Sequence, residues 1–351
     1  MSMPANSTST SANGASVNAG STSANAASTA RSILLKGFLI SFTGAILFST
    51  KAILVKLAFR ETHTDALTLL TLRMLLSLPF YLLAAFWGSR QLNNTKMTQK
   101  QWFWVILLGL LGYYLSSFFD FVGLQYISAG LERLILFLYP SFSVLINAAA
   151  FKQRISKAQY WALGLTYTGI GIAYFGELHI DTGNPNFYWG SLLVFLCAVT
   201  YAFYLSGTGR MVPLLGAAKF TTYSMLAATT AVLLHFFIKQ ATGGEPSLPV
   251  GPGSGLLWGY GLALALIATV IPSFMLSAGM RRIGANNAAI VTSVGPVSTI
   301  LQAHFFLGDK IFAEQVIGTA LVIVGVLLIG WKGRSQESFA EAQESADIAA
   351  K

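Results

Sequence analysis

Ten runs of mostly apolar residues, each near the length that crosses a bilayer, constrain this chain more than any other feature. An α-helix needs about 20 such residues to cover the hydrocarbon. In the first half the runs are Gly37 to Leu57, Ala66 to Phe86, Trp102 to Val122, Ala129 to Ala150, and Gln159 to Phe175. In the second half they are Tyr188 to Gly207, Phe220 to Ile238, Gly255 to Ala278, Asn286 to Phe306, and Phe312 to Trp331. Apolar and polar residues do not alternate within them, which argues against the strands of a membrane barrel. Charged residues are 10% of the chain, against roughly 25% in soluble proteins. The expected fold is an all-α membrane protein of ten transmembrane helices, with the lipid bilayer as its first partner.

Loop charges orient the runs. Arg31, Lys36, Arg90, Lys96, Lys100, Lys152, Arg154, Lys157, Arg210, Lys219, Arg281, Arg282, Lys332 and Arg334 fall in alternate loops and at both ends. The opposite loops hold Arg60, Lys239 and Lys310, diluted by Glu61, Asp65, Glu177, Asp181, Glu245 and Asp309. The positive-inside rule then puts both termini in the cytoplasm. The formal net charge of +9 follows from these loops, so a nucleic-acid partner is not expected.

Residues 1–32 are rich in Ser, Ala, Asn, Thr and Gly and read as an unstructured low-complexity tail. They have neither the basic start and apolar stretch of a secretory signal nor the arginines of a transit peptide. Residues 332–351 form a polar C-terminal tail. Cys197 is the one cysteine and reads as a small buried apolar residue.

A shift of 156 residues lays the fourth and fifth runs on the ninth and tenth without a gap. Gly123, Ile127, Ala129, Pro140, Leu145, Ile155, Gln159, Leu165 and Gly169 match Gly279, Ile283, Ala285, Pro296, Leu301, Ile311, Gln315, Leu321 and Gly325. The units are 37–176 and 187–331. Five spans per unit force the second copy to insert upside down, giving two inverted five-helix repeats. In carriers of that architecture the substrate sits between the halves near the midplane. The paired prolines either kink packed helices or free carbonyls toward a cavity.

Two long stretches carry a family resemblance. GAILFSTKAILVKLAFR in the first run and SSFFDFVGLQYISAGLERLILFLYPSFSVL across the third and fourth resemble EamA-type members of the drug/metabolite transporter superfamily. The similarity extends from Gly37 to Trp331. It implies two inverted five-helix repeats and an inner- or plasma-membrane carrier, often an exporter of amino acids or other small metabolites.

Charges inside spans are functional candidates by default. Lys51, Lys56, Arg73, Asp120, Glu132 and Arg133 all fall in the first half, within one layer, and sum to +2. Lys51 and Arg73 are the candidates for a substrate's anionic group; the competing reading is that they snorkel or pair with Glu132 and Asp120. At 3.6 residues per turn, Glu132, Tyr139, Ser143 and Asn147 share one side of a helix, as do Tyr113, Ser117 and Asp120. The ninth run offers Asn286, Ser293 and His304. The candidate substrate set is Lys51, Arg73, Tyr113, Ser117, Glu132, Tyr139, Ser143 and Ser293. These stripes serve either a cavity or helix–helix glue. Glycines 164, 169, 171, 318 and 325 suit internal packing or a homodimer. No motif of an intramembrane enzyme, metal site or cofactor site appears; the expected class is a carrier, with an intramembrane enzyme, a receptor or a channel as the alternative.

Overall fold

The computed structural model describes residues 12–89, 97–151, 155–180, 184–243, 254–283 and 291–328, and among them no strand occurs. The helices are α1 (Ala12–Thr62), α2 (Ala66–Ser89), α3 (Gln99–Gly123) and α4 (Ala129–Ala150). They continue as α5 (Lys157–Ile180), α6 (Phe187–Leu215), α7 (Ala217–Ala241) and α8 (Gly255–Ile283). Last come α9 (Gly295–Gln302) and α10 (Ala313–Leu328).

Local chemistry sets the boundaries. Asp65 accepts from the Thr68 backbone N–H at 2.9 Å and starts α2. Thr98 and Gln101 close a reciprocal capping box on α3, and Ser156 with Gln159 does the same for α5. Ser128 accepts from the Leu131 N–H at 3.0 Å and opens α4. Gly216 joins α6 to α7 at φ 80°, a conformation that glycine adopts without a Cβ penalty.

Among the described residues, seven helices (α1–α4 and α6–α8) are long and apolar enough to cross a membrane. This is fewer than the ten runs of the sequence, for three separate reasons. Gly, Thr and Tyr dilute α5, although it runs for 24 residues. The residues before α9 lie partly outside the described set, and so does whatever follows Leu328 of α10. A second difference concerns the N-terminus: α1 extends back to Ala12, into the stretch expected to be unstructured. Alanine is the best helix former, and no proline after Pro4 interrupts this segment. Several expectations lie outside the described residues: loop charges Arg90, Lys96, Lys152, Arg154, Asp181 and Glu245, then Asn286, and the tail from Lys332.

The outer surface is apolar. Phe103, Trp161, Phe175, Phe237 and Phe305 are all exposed, an arrangement that suits a hydrocarbon solvent and not water.

The halves interlock. α1 packs along α8, and α3 packs along α6. Gly37 faces Ile283 while Gly44 faces Met275, so α1 and α8 are antiparallel. Gly123 faces Val194 while Gly112 faces Tyr204, so α3 and α6 are antiparallel too. These two pairs are each other's counterparts under exchange of the halves. α2 meets α7 and α4 meets α9, again counterparts. Gly169 and Gly318 bring α5 against α10.

The halves share two irregularities. A π turn interrupts α3 at Leu110–Leu115 and α8 at Leu266–Val270, offset by the same 156 residues. The paired prolines also act alike. Pro140 follows a break at Phe137 and Leu138, and Pro296 stands in the first turn of α9. One carbonyl near the break is used across helices: Gly295 O accepts from Ser49 Oγ of α1 at 3.1 Å.

Candidate functional site

Where α1, α2, α3, α4, α6 and α8 converge, a cavity of about 270 Å³ lies between the halves. Its charged wall is Lys51, Arg73, Asp120 and Arg133. Lys51 is delivered by α1, whose Gly44 lets α8 come close. Its ammonium donates to Asp120 Oδ2 at 2.6 Å and to Glu132 Oε1 at 3.3 Å. Lys51 is 8% exposed, Asp120 2% and Glu132 0%, so the triad is buried. Asp120 lies at a helix end, where a charge can snorkel, yet it is held against Lys51.

Arg73 reaches across from α2. Its Nε donates to Thr269 Oγ1 at 2.9 Å and one Nη donates to Ser117 at 3.3 Å. Thr269 sits in the π turn of α8, and its hydroxyl donates onward to Leu264 O at 2.8 Å. The guanidinium also lies 5.5 Å from the Phe121 ring centre. Arg133 takes a different course from its neighbour Glu132. Adjacent helical residues point about 100° apart, so the two cannot share one partner face. Glu132 goes to Lys51, while the Arg133 guanidinium rests 5.5 Å from the Phe137 ring centre.

Aromatic rings complete the wall. Tyr113, in the π turn of α3, accepts from Tyr204 OH at 2.8 Å, and Tyr139 meets Tyr201 edge-on with centroids 5.2 Å apart. Phe48, Leu136, Phe137 and Leu276 supply apolar surface. π turns recur at functional sites because they widen a helix locally; here each places a polar residue, Tyr113 or Thr269, at the cavity or its arginine.

Of the sequence-derived set, Lys51, Arg73, Tyr113, Ser117 and Tyr139 line this cavity. Glu132 stands behind it, bonded to Lys51. Ser143 lies away from it, 3.0 Å from Ser206. Ser293 is buried, and its neighbour Thr292 is the lining residue. The sequence reading missed Phe137, Tyr201 and the cavity role of Cys197. The i to i+4 spacing of Arg133 and Phe137 was the available signal for their contact. Lys56 belongs elsewhere, in a second cavity of about 470 Å³ with Arg60, Glu177, Asp309 and Lys310. That cavity lies where helices end, and burial there pushes the Asp309 carboxyl above the usual carboxylate range against the pull of Lys56 and Arg60. The smaller cavity is the candidate site because the buried charges of the spans converge on it.

The EamA-like transporter family profile matches residues 35–175 and 188–331, once for each half. The chain belongs to this family. A relative named "Uncharacterized transporter YcbK" from Bacillus subtilis (strain 168) is 30% identical over 276 residues, covering 78% of this chain and 86% of that protein. "Multidrug resistance protein mmr" from Mycobacterium bovis (strain ATCC BAA-935 / AF2122/97) is 37% identical over 109 residues, covering 31% of this chain and 94% of that protein. A crystal structure at 20% identity superposes with a TM-score of 0.57 over 86% of this chain and 98% of its own, which shows a shared fold. The chain is thus an integral membrane transporter of the drug/metabolite superfamily. The family's two matches coincide with the two interlocked halves, and the cavity lies on the seam between them.

Proposed function

We propose that this transporter is a secondary carrier that exports small organic metabolites, amino acids and related organic acids being the leading class, through the cavity between its halves. The observation that carries this reading is the cavity itself: it joins both halves, and its polar groups are buried at depth in the spans. Binding there, followed by rocking of one half against the other, is the general scheme of inverted-repeat carriers. Ten spans in two inverted repeats suit the antiparallel pairings of α1 with α8 and α3 with α6. A carrier with this cavity is expected to give saturable flux and counterflow when purified and reconstituted in liposomes. Flux that rises linearly with concentration indicates a channel, and no flux across a broad metabolite screen removes the reading. Arg73→Lys keeps the charge but loses the planar fork, and is expected to raise KM about tenfold. An unchanged KM in folded protein excludes Arg73 from the substrate.

The same reading puts both termini in the cytoplasm. In a Cys197→Ser background, an impermeant thiol reagent applied to intact cells is expected to label a cysteine at position 181 and not one at position 96. The opposite pattern inverts the topology.

A further inference from the structure

Three basic and two acidic side chains meet at this cavity: Lys51, Arg73 and Arg133 against Asp120 and Glu132. Both carboxylates are committed to Lys51. Among the described residues neither guanidinium has a carboxylate partner. Among the described residues Arg73 donates to the neutral hydroxyls of Thr269 and Ser117. Arg133 lies on the Phe137 ring, and among the same residues its buried Nε has no acceptor. The arginines come from α2 and α4 and border one space. Counted at formal charges, the five groups sum to +1, and a buried charge without a counter-ion is costly. The rest of the wall is largely apolar, with Phe48, Phe137 and Leu276 prominent. The volume of about 270 Å³ matches about nine waters at roughly 30 Å³ each, which limits the ligand to a small molecule.

We infer that the cargo is a small organic acid carried with one net negative charge, its carboxylate held by Arg73 and Arg133 and its apolar body lying against Phe48, Phe137 and Leu276. The inference rests on the carrier reading above and narrows it. A monoanion neutralises the cluster. A zwitterionic amino acid brings no net charge and leaves the excess cation in place. Guanidinium forks are matched to carboxylates by two parallel hydrogen bonds.

The test holds the apolar body constant and varies the charge. Purified protein in liposomes is assayed with 3-phenylpropionate, its amide, phenylalanine and 3-phenylpropylamine, alongside a broader set of acids, amino acids and amines. The monoanionic acids are expected to show a kcat/KM at least about tenfold above their neutral, zwitterionic and cationic partners, one buried charge contact corresponding to that factor or more. Arg73→Gln and Arg133→Gln are expected to lower this acid-over-amide ratio on the order of tenfold each, whereas Arg133→Lys retains part of it. A ratio unaffected by either Gln variant, in protein with wild-type melting behaviour, overturns the inference, because a merely structural arginine shifts stability and not the ratio. Equal or better transport of amines or zwitterions overturns it too, while leaving the carrier reading intact. Absence of flux for every member of the set removes both.

Discussion

Lys51→Met is expected to destabilise the detergent-solubilised protein by about 3–5 kcal/mol, the range seen when one partner of a buried ion pair is removed. The lysine donates to two carboxylates that are 2% and 0% exposed, and methionine fills similar space without a charge. Two carboxylates then remain sealed together with no cation bonded to them. Asp120 Oδ1 and Glu132 Oε2 already lack partners among the described residues, so the variant leaves the pair with no hydrogen-bond donor among the bonds seen here. Combining Lys51→Met with Asp120→Asn and Glu132→Gln removes the stranded charges and is expected to recover much of the loss. Thermal melting of the three proteins in one detergent measures both effects. If Lys51→Met alone melts with the wild type, the triad does not hold α1, α3 and α4 together.

The second large effect concerns glycines that look equivalent in sequence. A Cβ built on Gly169 stands 2.6 Å from the Gly318 carbonyl oxygen, and one built on Gly318 meets the Gly169 carbonyl. Backbone cannot step aside as a side chain can. Gly318→Ala is therefore expected to push α10 off α5 at about 1–3 kcal/mol, the usual cost of overpacking. Gly164, on the same α5, has nothing within 4 Å of its Cβ position. Gly164→Ala is expected to be neutral, or to stabilise by up to about 1 kcal/mol through helix propensity. Melting curves of the two variants decide the matter. Equal shifts show that the α5–α10 contact is absent in the membrane protein.

This contrast marks how far a sequence reading reaches. Gly164, Gly169 and Gly318 form one class by residue type, and only packing separates the first from the other two. The same holds among charges. Lys51 and Arg73 stood out because ionisable residues are rare within apolar runs, and both line the cavity. The choice between an anion and the carboxylates Glu132 and Asp120 was open for both; the Lys51 ammonium bonds Asp120 and Glu132, and Arg73 bonds neither among the described residues. Arg133, counted among the charges of the spans, turns to Phe137. Ser143, placed on the polar stripe with Glu132 and Tyr139, instead meets Ser206 at 3.0 Å.

By itself the sequence determined the all-helical membrane class, the two related halves and which charges fall inside apolar runs. Hydrocarbon makes these local matters: each residue's cost of insertion depends on its own chemistry, and apolar length follows from bilayer thickness. Only the tertiary structure decided which groups meet. Arg73 and Thr269 are 196 positions apart, and Gly295 reaches Ser49 across 246. Such contacts depend on the register and rotation of whole helices, set by glycine approaches and π turns that leave little trace in apolar sequence. The residual positive charge of the cavity comes from those pairings, because register and rotation decide which cation the two carboxylates neutralise and which arginines are left to face the ligand.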